Sequence, residues 1–291
     1  MTNLDTRTNL KQALAKLDSL PAMPVIAQKL LNLQLDTDAG EAQLLNLIEQ
    51  DPQITAKLIG LANSPMMGVA RKVSTVNDAA MLLGMTKVKA VAMGIAAMSG
   101  FAKTPQHLHF KPQDLWQHSI TIAIIMRTIA AHMPSRFRPH EDQIFLAGLL
   151  HDIGYMALHH LDSAASDELH HQLHIQPKRD VTEIELGALG MTHGYIGAQL
   201  GKAWCLPSEI INVIAYHHPA HIEDVAEIMP LVKLLHLAER LLPDFGIAEH
   251  TGAGINDQEW LAIGILPSRA EELLDTTNEI AVQAANMSEM F

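Results

Sequence analysis

The chain has 291 residues, of which 48% are apolar, 18% charged and 4% aromatic, and its formal net charge is −12. That is enough apolar sequence for one large buried core or two modest ones, and the wealth of Leu, Ala, Ile and Met favours helices packed on helices over a β-sandwich. The acidic balance argues against a broad phosphate-backbone binder, which needs a concentrated positive surface.

The first half reads as a series of short helices. Pro24 opens one through VIAQKLLNL. Asp38 and Glu41 give a D-x-x-E start ahead of AQLLNLIEQ. Asp51-Pro52 is an N-cap followed by an N1 proline, opening QITAKLIGLAN, which runs out near Ser64-Pro65. A short helix over 75–83 is stopped by Gly84, and Thr86 is expected to cap KVKAVAMGIAAMSGF. The polar, Pro-containing stretch KTPQHLHFKPQD (103–114) then marks a subdomain boundary, dividing the chain into 1–105 and 106–291.

The second half begins with a helix over 115–132 and continues with one over 141–150. The polar, His-rich stretch DSAASDELHHQLHIQPKRD (162–180) is expected to separate these from a single helix over 182–204. Pro207 opens the next helix, which ends at His217-His218-Pro219. Further helices are expected over 229–242 and, after a Gly-rich loop, from 257 to the end, broken or kinked near Pro267. No strand alternation of useful length and no internal repeat is present, so the fold class is all-α.

Cys205 is the one cysteine, so no intrachain disulfide can form; this fits a reducing compartment. The N-terminal MTNLDTRTNLKQALAKL has no signal-peptide apolar core. Lys87, Lys89 and Arg127 interrupt the longest apolar runs well short of a membrane span. A soluble, cytoplasmic protein is expected, with no membrane association.

Polar side chains recur on apolar stripes of the second half. One stripe reads Leu115, His118, Ile122, Ile125, Ile129; another reads Leu189, His193, Ile196, Leu200, Ala203. Steps of three and four put both histidines on buried faces. A third, Val232, Leu235, Glu239, Leu242, places a carboxylate in a core position. The run LAGLLHDIGYMALHH (146–160) ends an apolar helix in His151-Asp152, and His217 and His218 close another. A buried isolated carboxylate is costly unless it is paired, hydrogen-bonded or bound to a cation. Imidazole nitrogen with carboxylate oxygen suits a divalent metal such as zinc, iron, manganese or nickel. Any one of these histidines alone is more simply a satisfied core residue; the repetition across separate helices is what points to a metal. Adjacent helical residues point about 100° apart, so the spacing leaves open whether His217 or His218 is the ligand.

Other histidines carry less weight. His170 and His174, at i and i+4 in ELHHQLH, read as a solvated surface pair. His159 and His160 either line an entrance to the His-Asp pair or are ordinary loop histidines. Cys205, beside Trp204, reads as packing. No phosphate-cradling GxxxxGK[ST], no GxGxxG after a strand, no GxSxG and no paired CxxC occurs, and no organic cofactor is expected.

These residues resemble the HDOD family, a divergent branch of the HD superfamily of metal-dependent phosphohydrolases. The resemblance spans roughly residues 15–240. It is carried by LPAMPVIAQKLL (20–31), DPQITAKLIGLANSPMMG (51–68) and VSTVNDAAMLLGMTKVKAV (73–91), then by LWQHS, LLHDIG, THGYIGAQLGKAWCLPSEI and IAYHHP. It implies an all-α fold, with a small N-terminal helical subdomain against an HD-like bundle. It also implies that His118 is the first HD-type histidine, His151-Asp152 the name-giving pair, and His193 with His217 or His218 the later histidines. Glu239 stands where active HD enzymes usually carry Asp, and its extra methylene displaces the carboxylate. HD-GYP phosphodiesterases, relatives that cleave cyclic di-GMP, carry HDIGK; here Tyr155 stands at the Lys position, and HHPAHIEDVAE replaces their GYP signature. The resemblance therefore implies a bacterial signalling or regulatory role, with a protein partner or a small phosphate-containing ligand contacted non-covalently. Tyr155 and Glu239 weigh against enzymatic activity but leave it open. The alternative is an active metal-dependent phosphohydrolase acting on a nucleotide or another phosphate ester, with Asp152 at its catalytic centre. Nucleic-acid binding has no support beyond Lys87, Lys89 and scattered Arg.

Overall fold

A computed structural model describes residues 10, 20–68, 71–101, 108–218, 229–242 and 254–285. Among the described residues every regular element is a helix and there is no strand. The first half contains α1 (Val25–Leu31), α2 (Asp38–Glu49), α3 (Pro52–Ala62), α4 (Val76–Leu83) and α5 (Met85–Ser99). Asp51 accepts the backbone N–H groups of Gln53 and Ile54, with Pro52 at the first helical position. Thr75 and Asp78 form a reciprocal capping box at the start of α4. Two starts differ from expectation. Thr37, not Asp38, caps α2, accepting the Gly40 N–H at 3.1 Å. Gly84, not Thr86, precedes α5; its φ of 87° turns the chain so sharply out of α4 that no intervening cap residue is needed,.

The second half contains α6 (Pro112–His132), α7 (Glu141–Leu150), α8 (Ile153–Leu161), α9 (Ser163–Ile175), α10 (Val181–Ala188), α11 (His193–Ala203), α12 (Ser208–Tyr216) and α13 (Pro230–Leu241). After these come α14 (Asp257–Ala262), a 3-10 turn at Pro267–Arg269, and α15 (Ala270–Ala285). The expected separator at 162–180 is mostly helix. Asp162 caps α9 by accepting the Ala165 N–H, and α9 buries Ser166, Leu169, His170 and Leu173. That spacing is a helical stripe whose polar members hide it from a hydrophobicity reading. The single helix expected over 182–204 is two helices. Gly190, at φ 73°, lies in the break between α10 and α11.

The core is continuous. Apolar residues of α1–α5 and of α6–α15 belong to one buried cluster, and α5 packs directly on α7, where Gly94 faces the Leu149 side chain. Two close approaches set up the site. Gly148 of α7 lies against the backbone of Ala123 in α6; a Cβ there would sit 2.5 Å from the Ala123 Cα. Gly154 of α8 meets α11 so closely that a Cβ would lie 2.0 Å from the His193 carbonyl oxygen. Such contacts bring helix axes nearer than side chains ordinarily permit. At the far end, α13 and α15 pack on α6. Arg240 of α13 pairs with Glu259, and the Gln117 side-chain amide donates to the Ala284 carbonyl.

Candidate metal centre

Each residue of the cluster is delivered by a helix end or a buried face. His118 lies on the buried side of α6. His151 terminates α7 and Asp152 precedes α8, so the bend between the two helices carries the pair. His193 is the first residue of α11 and His217 terminates α12, with His218 directly after it. Glu239 projects from α13. His118, His151, Asp152 and Glu239 are 0% exposed, and His193 and His217 are 1% exposed.

These seven side chains converge. Asp152 is the hub: its Oδ2 lies 3.0 Å from His151 Nε2 and 3.5 Å from His118 Nε2. Its Oδ1 lies 3.2 Å from His217 Nε2 and 3.4 Å from His193 Nε2. Glu239 spans the opposite side, 3.4 Å from His151 Nε2 and 3.8 Å from His218 Nδ1. Two groups of donor atoms are close enough to hold a metal ion each: His118, His151 and Asp152, and Asp152, His193, His217 and His218. Asp152 belongs to both. His217 and His218 thus enter the same group, a choice that their spacing alone leaves open.

The hydrogen bonds on the far side of each ring define what the near side offers. His151 Nδ1–H donates to the Gly148 carbonyl at 2.7 Å. His217 Nδ1–H donates to the carbonyls of Val213 and Ile214 at 3.1 and 3.0 Å. His193 Nδ1–H donates to Glu185 Oε1 at 2.6 Å. Carbonyl and carboxylate oxygens only accept, so each of these rings carries its proton on Nδ1. In the neutral form, Nε2 is then a lone pair turned toward the Asp152 carboxylate. The Nε2 atoms of His193 and His217 are 2.9 Å apart. Lone pairs facing one another and an anion repel unless a proton or a cation lies between them. The donor set therefore fits a divalent metal, which needs neutral imidazoles and ionised carboxylates.

The metal-free electrostatics point the same way. Burial pushes the Asp152 carboxyl up, but the charge on His151 and the close contacts with the His151, His193 and His217 rings outweigh it and hold the group well below the usual carboxylate range,. Burial lowers His193, but the Glu185 and Asp152 carboxylates outweigh it and raise this imidazole well above its ordinary value. Burial first, then the neighbouring His218, push His217 down to about 3. One proton on His193 thus stands in the place where a cation would satisfy the same acceptors.

Tyr155 is 0% exposed and stacks on the face of His193, with ring centroids 4.1 Å apart and planes 21° from parallel. An aromatic wall therefore occupies the position at which the related HDIGK pattern supplies a cation.

Several expectations are corrected around the cluster. His170 is not a solvated partner of His174: it is 8% exposed, donates Nδ1–H to the Ser166 carbonyl at 2.8 Å, and packs against Phe110 and Tyr155 at 4.4 and 4.9 Å. Burial lowers it to about 4. His159 is neither a loop nor an entrance residue. It is buried in α8, 4.8 Å from Phe110, because α8 continues past the His-Asp pair with its apolar face inward. Cys205 is exposed rather than packed. At φ 53° it closes α11 in a Schellman turn, in which Leu206 N–H donates to Gly201 and Cys205 N–H to Lys202,. Glu239 is fully buried, and the neighbouring Arg240 is engaged by Glu259. The residue that sequence reading missed is Glu185, fully buried on α10 against His193. Its signal would have been the helix break at Gly190, which brings position 185 back onto position 193.

A family model for the HDOD domain matches residues 20–220. The chain belongs to the HDOD family. A Geobacter sulfurreducens HDOD domain protein of unknown function shares this fold, with 24% identity, a TM-score of 0.77 and 99% of each chain covered. A Marinobacter aquaeolei VT8 chain that carries a signal-transduction name is 26% identical with a TM-score of 0.77, covering 99% of the HDOD chain and 66% of the Marinobacter one. A Shewanella amazonensis SB2B protein, provisionally named a phosphohydrolase, is 22% identical with a TM-score of 0.72, covering 96% and 97%. An uncharacterised Treponema pallidum (strain Nichols) protein is 23% identical over 248 residues, 82% of the HDOD chain, which spans 47% of that relative's length. No helix among the described residues is long and apolar enough to cross a membrane.

Proposed function

We propose that this HDOD chain is a cytoplasmic signal-transduction module whose histidine–carboxylate cluster holds a divalent metal as part of a regulatory fold and does not turn over a phosphate ester. His118, His151, Asp152, His193, His217, His218 and Glu239 are the proposed ligands, with iron, manganese, zinc or nickel as the metal. The observation that carries the reading is Tyr155. Its buried ring lies flat on His193, where a phosphate-handling site needs cationic, solvent-reachable space. The nearly complete burial of the ligands supports the same conclusion, since an ester has to reach the metal. Signal output would pass by contact with a protein partner or through a small phosphate-containing ligand. The test pairs capture of partners on the untagged full chain with a turnover screen over nucleotides and other phosphate esters in added manganese, iron or zinc. A specific partner without turnover supports the module.

One observation favours a second reading, a metal-dependent phosphohydrolase: two groups of potential ligands share Asp152. A metal bound there supplies Lewis-acid stabilisation of phosphoryl oxygens and an activated water. In that case Asp152 would be the catalytic residue, and Tyr155 and Glu239 would narrow the substrate to one that needs no lysine at position 155. Turnover abolished by Asp152→Asn would establish this reading over the first.

A further inference from the structure

Glu185 is a buried carboxylate that the proposed ligand set does not use. It lies on α10, 0% exposed, and both of its oxygens are committed to one residue. Oε1 accepts the His193 ring Nδ1–H at 2.6 Å, and Oε2 accepts the His193 backbone N–H at 3.1 Å. Among the described residues, its ion pair is to His193. Burying an ionised carboxylate without a lysine or arginine partner is expensive, so the arrangement is stable only where His193 itself leads to positive charge.

The grip is specific in direction. The backbone contact pins the first turn of α11, and the ring contact fixes rotation about the Cβ–Cγ bond. Tyr155 presses on the face of the same imidazole. The remaining ring direction is Nε2, aimed at His217 Nε2 at 2.9 Å and at Asp152 Oδ1 at 3.4 Å. A carboxylate on the far nitrogen of a ligating histidine sets the tautomer and makes the near nitrogen a better donor, and its loss typically costs 10–100-fold in metal affinity.

We infer that Glu185 is a positioning residue: it holds His193 in the Nδ1–H tautomer with Nε2 turned into the cluster, and thereby sets the affinity of the Asp152, His193, His217 and His218 group for a divalent cation. The inference rests on reading the cluster as a cation site. Nothing in it requires catalysis, so it holds for a regulatory or a hydrolytic chain.

The experiment uses the full chain with Zn(II) alone as the probe. Affinity is measured by competition with a chromophoric chelator, and the His193 tautomer by nitrogen-15 imidazole NMR of the metal-free protein at a pH high enough to leave the ring neutral. Glu185→Gln keeps the volume and can accept one of the two hydrogen bonds; Glu185→Ala accepts neither. The expected result is a loss of Zn(II) affinity near tenfold for Glu185→Gln and nearer 100-fold for Glu185→Ala, with His193 in the Nδ1–H form in the wild type and mixed in Glu185→Ala. Should Glu185→Ala not fold, Glu185→Gln carries the comparison. Affinities within twofold of wild type in every folded variant, with an unchanged tautomer, would overturn the positioning role while leaving the cation site intact. A wild-type chain that binds no Zn(II) would instead overturn the cation reading and the inference with it; the NMR arm would still report whether Glu185 orders the ring.

Discussion

The Nε2 atoms of His193 and His217 face each other at 2.9 Å, and both point at Oδ1 of Asp152. Each ring has its Nδ1 proton committed on the opposite side, so with both rings neutral the two lone pairs and the carboxylate concentrate negative potential at one buried point. Because Asp152 also contacts His118 and His151 through its other oxygen, its removal would reach both ligand groups at once. Asp152→Asn should therefore reduce metal content more than either His118→Ala or His217→Ala, each of which touches one group. Elemental analysis of the three variants, normalised to folded protein, checks this order.

Gly154 is required by geometry. Any Cβ at that position meets the His193 carbonyl, and relief would push α8 away from α11. Gly154→Ala should destabilise the chain by about 1–3 kcal/mol, the usual range for overpacking, and should separate Asp152 from His193. Urea unfolding measures the first effect and metal content the second.

Cys205 occupies a left-handed conformation that costs an L-residue about 1–2 kcal/mol relative to glycine. Part of that relief is cancelled by the greater freedom glycine has in the unfolded chain. Cys205→Gly should therefore be neutral to stabilising, by up to about 1 kcal/mol. A fall in the unfolding midpoint would show that the thiol makes a contribution the turn geometry does not reveal.

Acid should weaken the fold in a defined window. His217 and His170 are held neutral, with values lowered to about 3 and about 4. As pH falls below the ordinary histidine value near 6.5, the unfolded chain takes up these protons and the folded chain does not, so stability drops until the folded groups titrate. His193 is raised, so its contribution is fully present below about pH 6.5 and is lost as pH rises through its folded value,. It therefore adds little slope in the acid window. Metal-free protein should lose stability steadily from about pH 6.5 to 4, and His170→Phe, which keeps an aromatic ring against Phe110 and Tyr155, should flatten the curve. Urea midpoints at several pH values provide the comparison.

Much of this was legible in the sequence, for reasons that differ by residue. His118, His193 and Glu239 were visible because each interrupts an apolar stripe at helical spacing, and such interruptions are costly unless satisfied. Asp51-Pro52 was visible because an N-cap followed by an N1 proline has local chemistry; the Thr75–Asp78 capping box was not singled out. Glu185 was not: its partner lies eight residues on, across a break at Gly190, and a single uninterrupted helix would have held the two side chains about 12 Å apart along its axis. The helix α9 was hidden because its buried stripe contains Ser166 and His170. Both are polar, and His170 packs on Phe110 and Tyr155, contacts that no local pattern encodes.

The central claim is that the Asp152 hub and the imidazoles around it form a metal centre. The direct test is metal stoichiometry of the untagged full chain by elemental mass spectrometry, beside a His151→Ala/Asp152→Ala double variant. The account predicts about one or two divalent ions per chain, since two ligand groups share Asp152, and their loss in the double variant. Metal absent from the wild type after exposure to iron, manganese, zinc and nickel, or retained undiminished in the variant, would contradict it.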